Sequence, residues 1–147
     1  EPAAVIDVSG HTIGHVAYHL PGSDLVMTGD SLMALGCGRL FEGTAPMMWE
    51  SLSRLNALPA QTLVCSGHDY CQGNGAFALS VDPDNAALKR RLEDTAAGRR
   101  PCAPATLGDE RATNPFLRVA ALRERLGMQG APDAEVFARL RAMKDSF

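Results

Sequence analysis

Aromatic residues are scarce in this chain: they make up 5% of its 147 positions, with a single tryptophan. A dense Lys/Arg stripe with interleaved aromatics is also missing, so no nucleic-acid partner is expected. No apolar run approaches the length of a membrane span and no signal peptide opens the chain, which argues against a membrane partner. The four cysteines, at 37, 65, 71 and 102, include no CxxC pair and are too few for a disulfide scaffold. A reducing compartment, the cytoplasm, is the expectation. Basic residues are nearly absent from the first part of the chain. Residues 1–88 hold two basic and nine acidic side chains, whereas residues 89–147 hold twelve basic and eight acidic. An acidic first part suits a cation site, and a basic second part suits an anionic small ligand. A hydrophobic content of 46% against 21% charged is that of a folded globular chain, long enough for one unit or two small ones.

Three short β-prone runs each end in a hydroxyl residue, a glycine and a residue able to bind metal. Ser9-Gly10-His11 follows Ala4–Val8, Thr28-Gly29-Asp30 follows Leu25–Met27, and Ser66-Gly67-His68 follows Leu63–Cys65. Functional residues of open α/β sheets gather at strand ends, and imidazole with carboxylate is a ligand set for zinc, iron or manganese. The glycine permits the sharp turn that aims the next side chain off the strand. The alternative is a set of ordinary turns in which Asp or His bonds backbone.

The residues up to 70 alternate strand-like runs with Gly-rich turns. In residues 16–20 the alternation puts Val16, Tyr18 and Leu20 on one face and Ala17 and His19 on the other. Thr44 reads as the cap of a helix to Leu58 with Met48, Leu52 and Leu55 inward, and a strand follows at Thr62–Cys65. From about residue 71 the pattern is helical only. Asp82-Pro83 reads as the start of a helix that stops near Gly98, and Arg99–Ala105 as a loop. Thr106–Asp109 reads as a capping box opening a short helix that Asn114-Pro115 breaks, with further helices over Val119–Leu126 and from Pro132 to about Lys144. His11, His15 and His19 fall at helical spacing, but the glycines and β-branched residues among them make a helix unfavourable. His11 is therefore the candidate ligand, His15 a supporting histidine and His19 a solvent-facing one.

Gly10-His11-Thr12-Ile13-Gly14-His15, Gly29-Asp30-Ser31-Leu32, Gly36-Cys37-Gly38-Arg39-Leu40-Phe41-Glu42-Gly43 and Gly67-His68-Asp69-Tyr70 resemble motifs of glyoxalase II. Asn114–Arg118 and Arg141–Phe147 resemble the C-terminal helical domain of that family, the hydroxyacylglutathione hydrolases of the metallo-β-lactamase superfamily. The resemblance implies an α/β fold: the second half of a metallo-β-lactamase αββα sandwich over residues 1–70, then an all-α glutathione-binding domain over residues 71–147. It implies two divalent metal ions, zinc first and iron or manganese otherwise, with His11 and His68 as ligands and Asp30 as the bridging and catalytic carboxylate. It also implies a glutathione thioester as substrate, held by Arg39, Tyr70, Arg141 and Lys144. Arg141 and Lys144 stand three apart on one helix, so they share a face that suits a carboxylate. No chemistry is assigned to Cys37.

The family takes more than half of its metal ligands from an HxHxDH motif, and this chain has none. The expectation is that the chain is the C-terminal part of a larger enzyme. That enzyme would hydrolyse S-D-lactoylglutathione to glutathione and D-lactate. Two alternatives stand beside this: an inactive fragment that only binds glutathione-like anions, and a one-iron glutathione persulfide dioxygenase of the same superfamily.

Overall fold

The computed structural model describes all 147 residues. Its strands are β1 (Ala4–Asp7), β2 (Val16–Leu20), β3 (Leu25–Gly29), β4 (Leu32–Met33), β5 (Gly36–Cys37), β6 (Leu63–Ser66) and β7 (Ala105–Thr106). Five lie side by side in the order β1-β2-β3-β6-β7, while β4 and β5 form a separate hairpin. β2 is antiparallel to both β1 and β3, and β3 is parallel to β6. Strands β1, β3 and β6 therefore run in one direction and end at one edge of the sheet.

Alternation decides the two faces of this sheet. Ala17, Val26 and Val64 point to one side and are buried against helix α1 (Ala45–Asn56), whose Met48, Leu52 and Leu55 are fully buried. Thr44 caps this helix, its hydroxyl accepting the Met47 N–H at 3.4 Å. The other face carries Val5, Tyr18 and Met27, paired across the strands and open to solvent. The alternation read for Val16–Leu20 is present, but its Val16 and Tyr18 side is the open one. Periodicity separates the faces; only the position of α1 decides which is core. His19, expected to face solvent, is half-buried beside Val26.

Helix α2 (Cys71–Val81) was not foreseen. Its start, Gln72-Gly73-Asn74-Gly75, is poor helix material, and packing overrides it through buried Phe77, Ala78 and Val81. Helix α3 (Ala86–Ala96) starts from Asn85, whose Oδ1 accepts the Leu88 N–H at 3.1 Å, and not from Asp82. Asp82 closes α2 instead and accepts from Arg118 Nε at 2.8 Å. The second part is also not purely helical, because β7 pairs with β6 at the sheet edge. A two-residue edge strand is too short to show an alternation.

Thr106 then caps α4 (Leu107–Thr113), its hydroxyl accepting the Asp109 N–H at 3.1 Å. Helices α5 (Val119–Leu122) and α6 (Asp133–Asp145) complete the chain. One core joins both parts: Val8, Val26 and Leu52 cluster with Phe116, Phe137 and Leu140. Cys71 and Cys102 form a disulfide, with Cα atoms 6.3 Å apart, where the cysteine pattern had suggested none. The two 11-residue helices α2 and α3 lie between these cysteines in sequence. They form a hairpin that returns the chain to its start, so the missing CxxC spacing was the wrong sign to look for.

Glu110 of α4 is fully buried and pairs with Arg91 of α3, itself 2% exposed. The same carboxylate accepts the Leu35 N–H at 2.9 Å and lies 3.1 Å from Asn114 Nδ2. Arg91 also donates to Thr113 Oγ1 and to the Cys102 carbonyl, both at 2.8 Å. Replacing Glu110 by Ala leaves the guanidinium buried without a counter-charge. The expected loss is about 3–5 kcal/mol of unfolding free energy, read from denaturant titration.

Candidate functional site

The common direction of β1, β3 and β6 brings the three glycine turns together. The Gly67 N–H donates to the Gly29 carbonyl at 2.8 Å, zipping two of them edge to edge. His68 Nδ1–H then donates to Asp30 Oδ1 at 2.7 Å, and His11 Nε2 stands 3.6 Å from Asp30 Oδ2. Each oxygen of one carboxylate thus faces one imidazole. His11 Nδ1 lies 2.8 Å from the Arg39 carbonyl, which can only accept. Nδ1 therefore carries the hydrogen, and the Nε2 lone pair points to the site.

His15 lies behind Asp30. Its Nε2 accepts the Asp30 N–H at 3.1 Å, and its other ring nitrogen is 3.2 Å from Thr12 Oγ1. It holds the main chain of the carboxylate residue, which is the supporting part read for it. Gly29, at φ +56, allows this approach: a methyl there would meet His15 Nε2 at 2.5 Å. At Gly38 a methyl would overlap the Asp30 carbonyl oxygen and stand 2.8 Å from His11 Nδ1.

The donors suit divalent cations in kind. In number they are three, with one imidazole to each carboxylate oxygen. A catalytic zinc holds about three protein ligands. No three or more His, Cys, Asp or Glu side chains in this chain close around one point.

The cluster opens into a cavity of about 1350 Å³, and all seven site residues singled out in the sequence line it. Tyr70 is 54% exposed and stacks its ring on His68, with centroids 5.2 Å apart. Lys144 sits 6.0 Å from the ring centroids of Phe77 and Phe147. Burial, followed by the positive charges of Arg141 and Arg39, holds its ammonium below the usual lysine value. Arg141 is not free beside it. Its guanidinium is 4% exposed, donates to the Cys37 carbonyl at 2.7 Å and pairs with Asp145 at 2.9 Å. Asp145 also draws Arg39, whose Nε is 3.9 Å away. Two of the three cations thus share one carboxylate, and Lys144 has no ion-pair partner of its own. Burial pushes the Cys37 thiol up to about 11, so it stays protonated and no nucleophile arises there.

Sequence reading missed Asp145 and the Cys71–Cys102 disulfide. Asp145 follows Lys144 directly and stands four residues from Arg141, a spacing at which opposite charges pair on a helix. Substituting Gly38 by Ala is expected to displace His11 and Asp30 and weaken divalent-cation binding about tenfold or more, by titration calorimetry. A methyl at Gly73 meets nothing within 4 Å, so Gly73→Ala should leave it unchanged.

A family model described as "Hydroxyacylglutathione hydrolase C-terminus" matches residues 69–147. A protein of Ruegeria pomeroyi named hydroxyacylglutathione hydrolase is 61% identical over 99% of this chain, which spans 59% of that relative's length. Among solved structures, TTHA1623 in a di-iron-bound form superposes with a TM-score of 0.54 at 29% identity, over 78% of this chain and 42% of its own. The BLEG-1 B3 metallo-β-lactamase gives 0.53 at 24% identity, over 78% of this chain and 41% of its own. The strand ends that gather Asp30 and its two histidines therefore sit in a metallo-β-lactamase fold, and the chain belongs to the hydroxyacylglutathione hydrolase family.

Proposed function

We propose that the protein containing this chain hydrolyses glutathione thioesters, S-D-lactoylglutathione among them, to glutathione and the free hydroxy acid. One observation carries this reading: a His–Asp–His cluster and a cluster of three cations line the same cavity. His11, Asp30 and His68 would hold part of a centre of two divalent ions, zinc or else iron or manganese, and other parts of the protein would supply the remaining ligands. Such ions, when bound, polarise a thioester carbonyl and lower the pKa of water.

The chain's own residues do the positioning. Arg39 fixes the ring of His11 through its carbonyl, and His15 fixes the main chain of Asp30. Lys144 and the exposed side chain of Arg39 are the cations open to an anionic peptide. Arg141 keeps α6 against Cys37 and adds charge from behind. An arriving carboxylate would offset the burial, and then the repulsion by Arg141 and Arg39, that hold Lys144 down. Tyr70, stacked on His68, offers its hydroxyl to the peptide portion between the carboxylate and the thioester. Held at both ends, the acyl carbon is presented to the cluster without a search, and this lowers the entropic part of the barrier.

The open row of Val5, Tyr18 and Met27 suits the second sheet of the αββα sandwich, supplied by another part of the protein. The cytoplasm, where glutathione is abundant, is the compartment this reading places it in. No helix is long and apolar enough to cross a membrane.

Thioester hydrolysis with metal analysis of the whole protein tests the reading. Two bound ions with turnover are expected; at most one ion and no turnover would overturn it. Lys144→Ala should raise KM for glutathione thioesters about tenfold with kcat and the unfolding midpoint nearly unchanged. Arg141→Ala should instead lower stability by about 1–3 kcal/mol, because the buried Cys37 carbonyl loses its donor.

A further inference from the structure

The Cys71–Cys102 disulfide lines the same cavity as the His–Asp–His cluster. Its two halves are unequal. Cys102 is 5% exposed, packs with Leu35, Ala78 and Leu88, and has its carbonyl held by buried Arg91. Cys71 is half-buried at the first turn of α2, directly after Tyr70. Thiol–disulfide exchange proceeds by attack on the accessible sulfur, with the shielded one leaving. Cations on the same cavity draw anionic peptides toward it.

We propose that this disulfide is an exchange site, opened by an anionic peptide thiol that enters the cavity and remains as a mixed disulfide on Cys71. The incoming thiol loses its proton to solvent, and its thiolate sulfur bonds to Cys71 Sγ. The Cys71–Cys102 bond breaks, its electron pair goes to Cys102 Sγ, and Cys102 takes a proton from water. A second peptide thiol, its proton lost to solvent, attacks the peptide sulfur of the mixed disulfide; the bond to Cys71 breaks, its electron pair goes to Cys71 Sγ, and Cys71 takes a proton from water. The two peptides leave as their disulfide, with both protein cysteines reduced. The identity of the thiol as glutathione rests on the function proposed above; the exchange itself needs only the cavity and its charge. A peptide fixed at Cys71 sits one residue from Tyr70 and occupies the space a thioester would enter, so the adduct is a reversible block.

The whole protein, treated with reduced glutathione and with 2-mercaptoethanol at matched thiolate concentration, tests this by peptide mass mapping. Glutathione should label Cys71 and leave Cys37 and Cys65 free, and should open the disulfide about tenfold or more faster than 2-mercaptoethanol, as guided delivery requires. Cys102→Ser, whose Cys71 is a free thiol with no resolving partner, should take the adduct from glutathione disulfide with release of one glutathione, retain it and show a raised KM for thioesters, and dithiothreitol should restore it. Labelling at Cys102 or Cys65 in place of Cys71, equal rates for the two thiols, or a disulfide that glutathione does not open would each overturn the proposal. Hydrolysis assayed on the same protein before thiol treatment keeps the two ideas apart. No turnover in the untreated protein with label at Cys71 afterwards removes the hydrolase and leaves the exchange, whereas turnover with no label afterwards does the reverse.

Discussion

The carboxylate of Glu110 has no solvent around it and one guanidinium, that of Arg91, to balance its charge. Its second oxygen takes the N–H of Leu35, a non-glycine residue at φ +59 in the tight turn of the β4–β5 hairpin. A backbone in that region costs about 1–2 kcal/mol and persists only when its surroundings hold it. Asn114 completes the hold, with its amide nitrogen 3.1 Å from the Met33 carbonyl and 3.0 Å from that of Gly36. The hairpin so fixed begins two residues after Asp30 and leads into Gly38 and Arg39. The position of the carboxylate cluster is therefore set from behind by a buried ion pair in the helical half.

The sheet supplies the other constraint. Three turns converge because β1, β3 and β6 point the same way, and β2 serves only to return the chain. That much was legible in the sequence. Each turn has the same hydroxyl–glycine–ligand pattern, and strand ends of one direction share an edge. The cap at Thr44, the break at Asn114-Pro115 and the inward residues of α1 were legible too, since each is a local signal.

What stayed hidden was set by distant contacts. The exposed and buried faces of β2 differ only because α1 covers one of them. Helix α2 forms in spite of its glycines because Phe77 and Val81 find a core there. Asp82 and Asn85 are both good caps by type; the choice went to Asn85 because Arg118 claims Asp82. Arg141 and Lys144 were read as equal partners from their spacing on α6. Three residues on a helix place two side chains on one face, but they do not say that one of them will be buried against a carbonyl 104 positions away.

Segment 37–39 joins the two ends of the cavity mechanically. The Cys37 carbonyl takes the buried guanidinium of Arg141, Gly38 leaves no space between itself, Asp30 and His11, and the Arg39 carbonyl sets the tautomer of His11. The Arg39 side chain then reaches back toward Asp145 on the same helix as Arg141 and Lys144. Three consecutive residues thus touch the Arg141–Asp145 side through Cys37 and the Arg39 side chain, and the imidazole–carboxylate side through Gly38 and the Arg39 carbonyl. A small residue is required at 38 for contact, and a positive one at 39 for charge. Neither can be altered without the opposite end of the cavity sensing it, because close-packed backbone transmits displacement instead of absorbing it.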